Sequence, residues 1–475
     1  VPAQTRHVVL LGLLLAVAVL IRTLGWGNWS LWLDETMQVD YARRTFLDIP
    51  KVALQDGAHP PLSYLVTALT LRISSTEAAL RIPSVLFSLG AAFSVFVASG
   101  GFRRFRPAFA GAALFTFLPI SIHYGQEIRP YALALFLVAL SQAARRRTAE
   151  RGWRGGPLLH VLAATGAVYT LYFAVFPVAA GFLSDVATAL RSRRENPARF
   201  RRAFIVPLTV FLLYLPWLIA LSREPLHPPA MPAPRVTARL VGEFTVGLAA
   251  DRQESLARPG PAAFVWSLAI LGLLAARGRR VEIALQFVAC AIAPLLFLLA
   301  SRHWWNLRYI LLTVLPLSQS FGEGVGFAAD RVRRNGGWLF GALIALLCAV
   351  EAPAIAENTR SARVDWRRPA AYLDWQFRQG RGGTVVAADQ WSWWVLRYQT
   401  LRLEPPIDVG PIADTGPSLR KVVDEKGTGW IIRTPHHPVP PDVDRFLAVA
   451  SPWGVFAEAE GARLYRFEKG RLVPP

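Results

Sequence analysis

Apolar positions along this chain gather into long runs instead of alternating with polar ones, and short arginine-rich stretches separate the runs. A run of about twenty apolar residues is what a helix needs to cross the hydrocarbon core of a bilayer. Arginines cluster at Arg103, Arg104 and Arg106, at 145–147, between Arg191 and Arg202, at 277–280 and at 331–334. Basic clusters between spans mark cytoplasmic loops. Placing all five on one side predicts a polytopic α-helical membrane protein with about eleven transmembrane helices. They fall at 7–24, 82–101, 108–123, 130–144, 157–171, 172–190, 203–221, 261–276, 281–300, 309–328 and 338–356. No small-residue cleavage site follows the first run, which is therefore read as an uncleaved helix.

The stretch 60–71 departs from this pattern. It is apolar but, at about twelve residues, too short to span, and counting it as a span would carry Arg103–Arg106 to the other side. It is expected as a short interfacial helix on the outer face. The segment 26–81 then forms one long external loop against the membrane, within a membrane-spanning module of residues 1–356. An odd number of spans leaves 357–475 outside. There 368–377 has helical spacing, while 384–388, 430–433 and 461–467 read as strands. A small external α/β domain of about 115 residues is expected.

Composition narrows the class. Of 475 residues 53% are hydrophobic and 18% charged, against about 25% charged in an ordinary soluble chain. That excludes a cytosolic enzyme, a disordered protein and a disulfide-stapled secreted domain. The 52 Lys+Arg against 32 Asp+Glu leave a formal charge of +20, yet the only lysines are Lys51, Lys421, Lys426 and Lys469. The arginines lie between apolar runs and no solvated basic patch with interleaved aromatics occurs, so the charge is a topology signal and not a nucleic-acid footprint. Cys290 and Cys348 both fall in apolar runs and read as small buried hydrophobes.

The chemistry gathers at the external mouths. Trp26, Trp29 and Trp32 suit an interfacial belt, and next to them stand Asp34 and Glu35. Taken alone, that pair reads as the acidic first turn of a surface helix. His59 precedes Pro60-Pro61, which fit the start of a helix. It reads either as a polar residue beside that start or as a contact for a phosphate or hydroxyl. The third span ends in His123-Tyr-Gly-Gln-Glu127-Ile-Arg129-Pro130-Tyr131, and a further mouth carries Arg302-His303-Trp-Trp-Asn306-Leu-Arg308-Tyr309. Ionisable groups at one membrane depth are functional candidates by default. Asp34, Glu127, His59, His123 and His303 show no tight ligand spacing, so no metal or other cofactor is expected, with a divalent cation as the alternative. His436-His437, between prolines, reads as a solvated loop.

Several motifs then fall in a specific order: Trp-Leu-Asp-Glu at 32–35, His-Pro-Pro-Leu at 59–62, Gln-Glu-Ile-Arg-Pro-Tyr at 126–131, Leu-Tyr-Leu-Pro-Trp-Leu at 213–218, Arg308-Tyr309, and Asp-Trp-Arg-Arg-Pro-Ala-Ala-Tyr-Leu at 365–373. Over residues 1 to 375 the chain resembles bacterial membrane glycosyltransferases of the family 39 and 83 group, which includes protein O-mannosyltransferases and aminoarabinose transferases. The resemblance implies the C-type (GT-C) glycosyltransferase architecture. It also implies an inverting transfer of a sugar from a polyprenyl-phosphate-linked donor to an acceptor hydroxyl of a lipid, glycan or protein. The setting implied is a multi-pass protein of the bacterial cytoplasmic membrane, N-terminus inside, with the active site and C-terminal domain outside.

By the same resemblance Asp34 is the base, Glu35 orients the loop or binds acceptor, and Glu127 takes the family's second acidic position. The departing lipid phosphate is already a stable anion, so the reaction needs positive charge to hold it more than a strong acid. Arg129, Arg308 and His59 are the candidates for that task, since guanidinium binds phosphate in bidentate fashion. Tyr131, Tyr172, Tyr309, His123 and His303 are candidates for the sugar or acceptor pocket. Tyr172 lies in Tyr-Thr-Leu-Tyr-Phe, where relatives often carry histidine at the position of Leu171. Two other readings remain: a flippase or transporter of lipid-linked sugars, and a glycan-binding scaffold without catalysis. A transporter would place its polar residues near the midplane of repeated halves, and neither sign is present.

Overall fold

A computed structural model describes residues 3–27, 29–191, 197–224, 242, 244–248, 259–301, 306–332, 335–360, 364–410, 416–435 and 439–475. The chain divides into two compact units, one of residues 1–24 and 41–359 and the other of 25–40 and 360–475. The sequence places 25–40 with the spanning module; the structure groups it with the C-terminal part.

Helices in chain order are α1 (Ala3–Thr23), α2 (Leu33–Ala42), α3 (Ile49–Asp56), α4 (Leu62–Leu71), α5 (Glu77–Ala98), α6 (Phe105–Phe117), α7 (Pro119–Tyr124), α8 (Tyr131–Arg151), α9 (Gly156–Val168), α10 (Val175–Arg191), α11 (Pro197–Leu221), α12 (Pro259–Ala275), α13 (Arg280–Phe287), α14 (Ala293–Ala300), α15 (Val314–Arg331) and α16 (Gly336–Arg360). Among the described residues, seven helices are long and apolar enough to cross a membrane by length and composition. These are Gln4–Thr23, Glu77–Ala98, Tyr172–Arg191, Pro197–Leu221, Arg280–Ala300, Leu307–Arg331 and Gly336–Thr359. Helices also occupy the other four positions expected to span. Three of those have only 13 to 17 residues, and α8 ends in a run of arginines. The expected eleven spans therefore resolve into seven that meet the length and hydropathy of a span and four that do not. α4 has 10 residues, too few to cross, as expected for the short helix of the first loop.

The centre of the first unit is the helix Leu307–Arg331, 94% of whose apolar window is buried. Glycines let its neighbours approach backbone to backbone. A Cβ on Gly272 of α12 would lie 1.8 Å from the Ser320 carbonyl oxygen, and one on Gly322 would lie 2.2 Å from that of Pro107. Small residues at helix contacts give close dispersion packing where lipid supplies no hydrophobic drive between helices.

Two polar arrangements interrupt this apolar packing. Pro119 splits the third expected span, because a proline has no N–H to give and helices stop at the residue before it. Arg22 of α1, fully buried, takes up the loosened end of α6. Its Nη1 donates to the Thr116 carbonyl at 3.1 Å, its Nη2 to that of Phe115 at 3.4 Å, and its Nε to Ser88 Oγ at 2.7 Å. Toward the other end of α8, arginines meet carboxylates. Arg104 and Arg279 both donate to Glu323, at 2.6 and 2.8 Å, while Arg145 pairs with Asp185 at 3.0 Å and with Glu282. Arg279 also donates to Gln319, which donates to Gln142, which donates to Gln286, whose amide reaches the Pro177 carbonyl. Each buried amide in this chain is satisfied by the next, as a low-dielectric interior requires.

The second unit carries a six-stranded mixed sheet. Its strands are β1 (Thr384–Ala387), β2 (Val409–Gly410), β3 (Thr428–Arg433), β4 (Gly454–Phe456), β5 (Ala462–Glu468) and β6 (Arg471–Val473). The order is β2-β1-β3-β5-β4, with β6 beside β5. β1 runs parallel to β2 and β3, and β3, β4 and β6 run antiparallel to β5. Side chains alternate between two cores. Val385, Trp430 and Ile432 pack with Trp366 and with Leu373 of the helix Arg367–Arg378, whereas Val386, Ile431 and Phe467 pack with Leu419, Val423 and Val443. Both faces are covered, so the strands read as short apolar runs and the tail is the small α/β domain the sequence predicts.

Candidate anion-binding site

The first unit brings several of the candidate residues together around His59. The turn Pro60-Pro61 fixes the entry to α4, and the Leu62 N–H donates to the Tyr169 carbonyl at 3.0 Å, which ties the histidine to the end of α9. His59 is 6% exposed. Arg129 Nη2 lies 2.8 Å from His59 Nε2. A guanidinium can only donate, so Nε2 is the acceptor and the proton of the neutral ring sits on Nδ1. That buried Nδ1 has no hydrogen-bond partner among the described residues. Burial first, then the charges of Arg129 and Arg308, hold the His59 pKa well below the usual histidine range. The field at this ring is therefore positive, and the imidazole stays neutral.

Aromatic rings continue from it. Tyr131 meets His59 edge-on at 5.9 Å, Tyr124 meets Tyr131 at 4.8 Å, and His123 meets Tyr124 at 4.8 Å. His123 Nε2 is 2.9 Å from Glu127 Oε1. The turn 125–130 is anchored from below: Ser84 donates to the Glu127 carbonyl, and Gln126 donates to the Arg22 carbonyl at 3.1 Å. Asn306 caps the helix of Arg308 by accepting its N–H at 3.0 Å. Tyr309 packs on Phe173 at 5.3 Å, next to half-buried Tyr172. His303 lies outside the described residues, as do Arg302 and His436-His437.

Asp34 and Glu35 belong to the other unit. They occupy the first turn of α2, where a carboxylate suits the positive end of the helix dipole. Glu35 is fully buried, and its Oε2 accepts the Trp32 N–H at 3.4 Å, the returning half of a capping box. The segment before it is tied to 364–367: Ser30 N–H donates to the Val364 carbonyl at 2.9 Å, Trp366 N–H to Ser30 Oγ at 2.9 Å, and Arg367 to the Gly27 carbonyl at 3.1 Å. Two motifs more than 300 residues apart thus form one structure.

Sequence reasoning passed over Arg22, Asp56, Tyr64 and Tyr124. Tyr64 is 1% exposed and donates to Asp56 Oδ2 at 2.9 Å. Burial and Asp56 push its pKa well up, and Arg129 opposes them, which places this pair in reach of the Arg129 charge. Arg22 carried a usable signal, an arginine within an apolar run; Asp56 and Tyr64 carried none. Among the described residues no three His, Cys, Asp or Glu side chains are grouped as a metal ion would require.

No protein-family model matches the sequence, and comparison with curated proteins gives no match. Solved structures do match in fold. The apo form of ArnT from Cupriavidus metallidurans is 14% identical with a TM-score of 0.57, covering 100% of both chains. The same protein bound to undecaprenyl phosphate is 15% identical with a TM-score of 0.56, covering 98% of each. The oligosaccharyltransferase of Archaeoglobus fulgidus in complex with Zn and sulfate is 11% identical with a TM-score of 0.51, over 89% of this chain and 67% of that one. The chain thus has the GT-C fold that its motifs anticipate, in a multi-pass α-helical protein with a small C-terminal sheet domain.

Proposed function

We propose that this protein transfers a sugar from a polyprenyl-phosphate-linked donor to an acceptor hydroxyl, with inversion at the anomeric carbon. The observation that carries the reading is the His59 cluster. A neutral imidazole with a buried N–H stands in the field of two guanidiniums, on a fold shared with a protein solved with undecaprenyl phosphate bound. Arg129, Arg308 and His59 receive the phosphate as the bond from the anomeric carbon to its oxygen breaks, and their fixed dipoles and charges stabilise the leaving anion. The acceptor oxygen forms the new bond to that carbon and gives its proton to Asp34. Glu35, as a cap, holds the turn that presents Asp34.

His123 and Glu127 orient the acceptor or sugar, and Tyr131, Tyr172 and Tyr309 line the pocket, with His303 also assigned there. The N-terminus lies in the cytoplasm, and the site and C-terminal domain lie on the outer face of the bacterial cytoplasmic membrane. The acceptor is a lipid, a glycan or a protein. The reaction needs no metal, a divalent cation being the alternative.

The test is turnover of a panel of synthetic polyprenyl-phosphate sugars by the purified protein in nanodiscs, with and without chelator. Asp34→Asn is expected to lower kcat by at least about 100-fold while the protein stays folded. Normal turnover in that variant would defeat the base assignment, and loss of wild-type turnover in chelator would put a cation into the reaction.

A further inference from the structure

Three consecutive arginines, at 145–147, stand in the last two turns of α8, and the structure uses them differently. Arg145 pairs with Asp185 and Glu282, and Arg146 bonds to Glu150 and the Ala98 carbonyl. Arg147, half-buried, makes no ion pair or hydrogen bond among the described residues. It lines a cavity of about 440 Å³ whose other walls include Phe93, Val97, Leu140, Leu159 and Trp153. Gly152, with φ of +59°, ends α8 and turns the chain so that Trp153, 44% exposed, stands at this cavity. A left-handed residue at this point is a common helix stop.

We propose that this groove holds one acyl chain of an anionic phospholipid, with the head-group phosphate on Arg147 and the indole of Trp153 at the level of the glycerol. Apart from Ser94 and Arg147 the walls are apolar, and Phe93 and Val97 belong to α5, which is long and apolar enough to cross a membrane; this suits a hydrocarbon tail. The one charged group is a guanidinium, which matches a phosphate diester in sign and in fork geometry. Tryptophan is favoured where an apolar body meets a wet boundary. The groove is separate from the His59 cluster. Arg147 lies sixteen residues after Tyr131 on α8, or ~24 Å along the helix, so the two anion positions sit near opposite ends of one helix. The bilayer's own lipid and not the carrier of the sugar is the assigned occupant, because the carrier's phosphate is assigned to the other end.

Native mass spectrometry of the purified full chain, exchanged into micelles containing phosphatidylglycerol or phosphatidylcholine, reads the site directly. The wild type is expected to retain a phosphatidylglycerol adduct about five- to tenfold over phosphatidylcholine. Arg147→Gln is expected to lose that preference and Arg147→Lys to keep most of it, with melting temperatures in the same micelles showing that both remain folded. Equal retention of the two lipids by the wild type overturns the proposal, as does an undiminished preference in folded Arg147→Gln. Release of a polyprenyl phosphate from the wild type, lost in Arg147→Gln, also overturns it. Turnover of donor with wild-type KM in Arg147→Gln would leave the glycosyl-transfer reading intact even if this site failed.

Discussion

The two ends of α8 place arginines in opposite surroundings. At its far end Arg104, Arg279 and Arg145 are met by Glu323, Asp185 and Glu282, and the charge of these three is neutralised within the fold. Before its first residue, Arg129 donates to an imidazole that its own charge helps keep neutral. The first arrangement ties helix ends together. The second sets guanidinium charge against a buried ring, which burial and the charges of Arg129 and Arg308 hold neutral. Arginine count alone would not separate them, since both stretches read as arginine beside an apolar run. What separates them is that the Arg129 guanidinium has a buried imidazole among its acceptors, whereas Arg104, Arg145 and Arg279 meet carboxylates.

Substitution at each end should therefore fail in a different way. The largest effect is expected from Arg129→Ala, which removes charge at the position assigned to the leaving phosphate. A drop of about 100- to 1,000-fold in kcat/KM for a polyprenyl-phosphate sugar is expected, with little change in melting temperature. An equal loss of stability would erase the contrast. Next comes Glu323→Ala, which strands Arg104 and Arg279 beside a carboxylate-sized gap. A cost of about 3 kcal/mol is expected in unfolding measurements in micelles, with donor KM unchanged in the protein that remains folded.

The smallest effect concerns pH. The folded-state pKa of His59 lies below the histidine value of 6.5, so as pH falls through that value the unfolded chain takes up the proton first. Stability contributed by the neutral ring is full above it and is lost as pH falls toward the folded pKa, at no more than about 1.4 kcal/mol per pH unit. His59→Gln should flatten that part of the stability curve between pH 6.5 and 5.5; an unchanged slope would mean that the ring does not carry it.

Much of the fold was legible because its signals are local. Apolar runs located the long helices, and short apolar stretches in the tail located β1, β3 and β5. The span count was less legible, since α6, α9 and α12 are apolar yet short, and a hydropathy window does not measure helix length. Contacts between distant segments were harder still. Ser30 meets Val364 across 334 positions, and nothing near either residue announces the other, so 25–40 read as part of an external loop of the spanning module. The candidate residues around His59 were visible as types and motifs. The Arg129 bond that fixes the tautomer of His59 was not, because it joins positions 70 apart. Asp56 and Tyr64 lie only 8 positions apart, but neither falls in a motif, so nothing marked them.

Arg22 also sets a timetable for making the protein. Its acceptors at Phe115 and Thr116 lie 93 and 94 residues further on, which at usual synthesis speeds is about 5 to 20 s of translation. For that interval the first helix is in place with a guanidinium whose final partners have not been made. Water or lipid head groups must hold the charge until α6 arrives. The first helix is thus threaded early but seated late, and its seating waits on a segment that the ribosome has still to deliver.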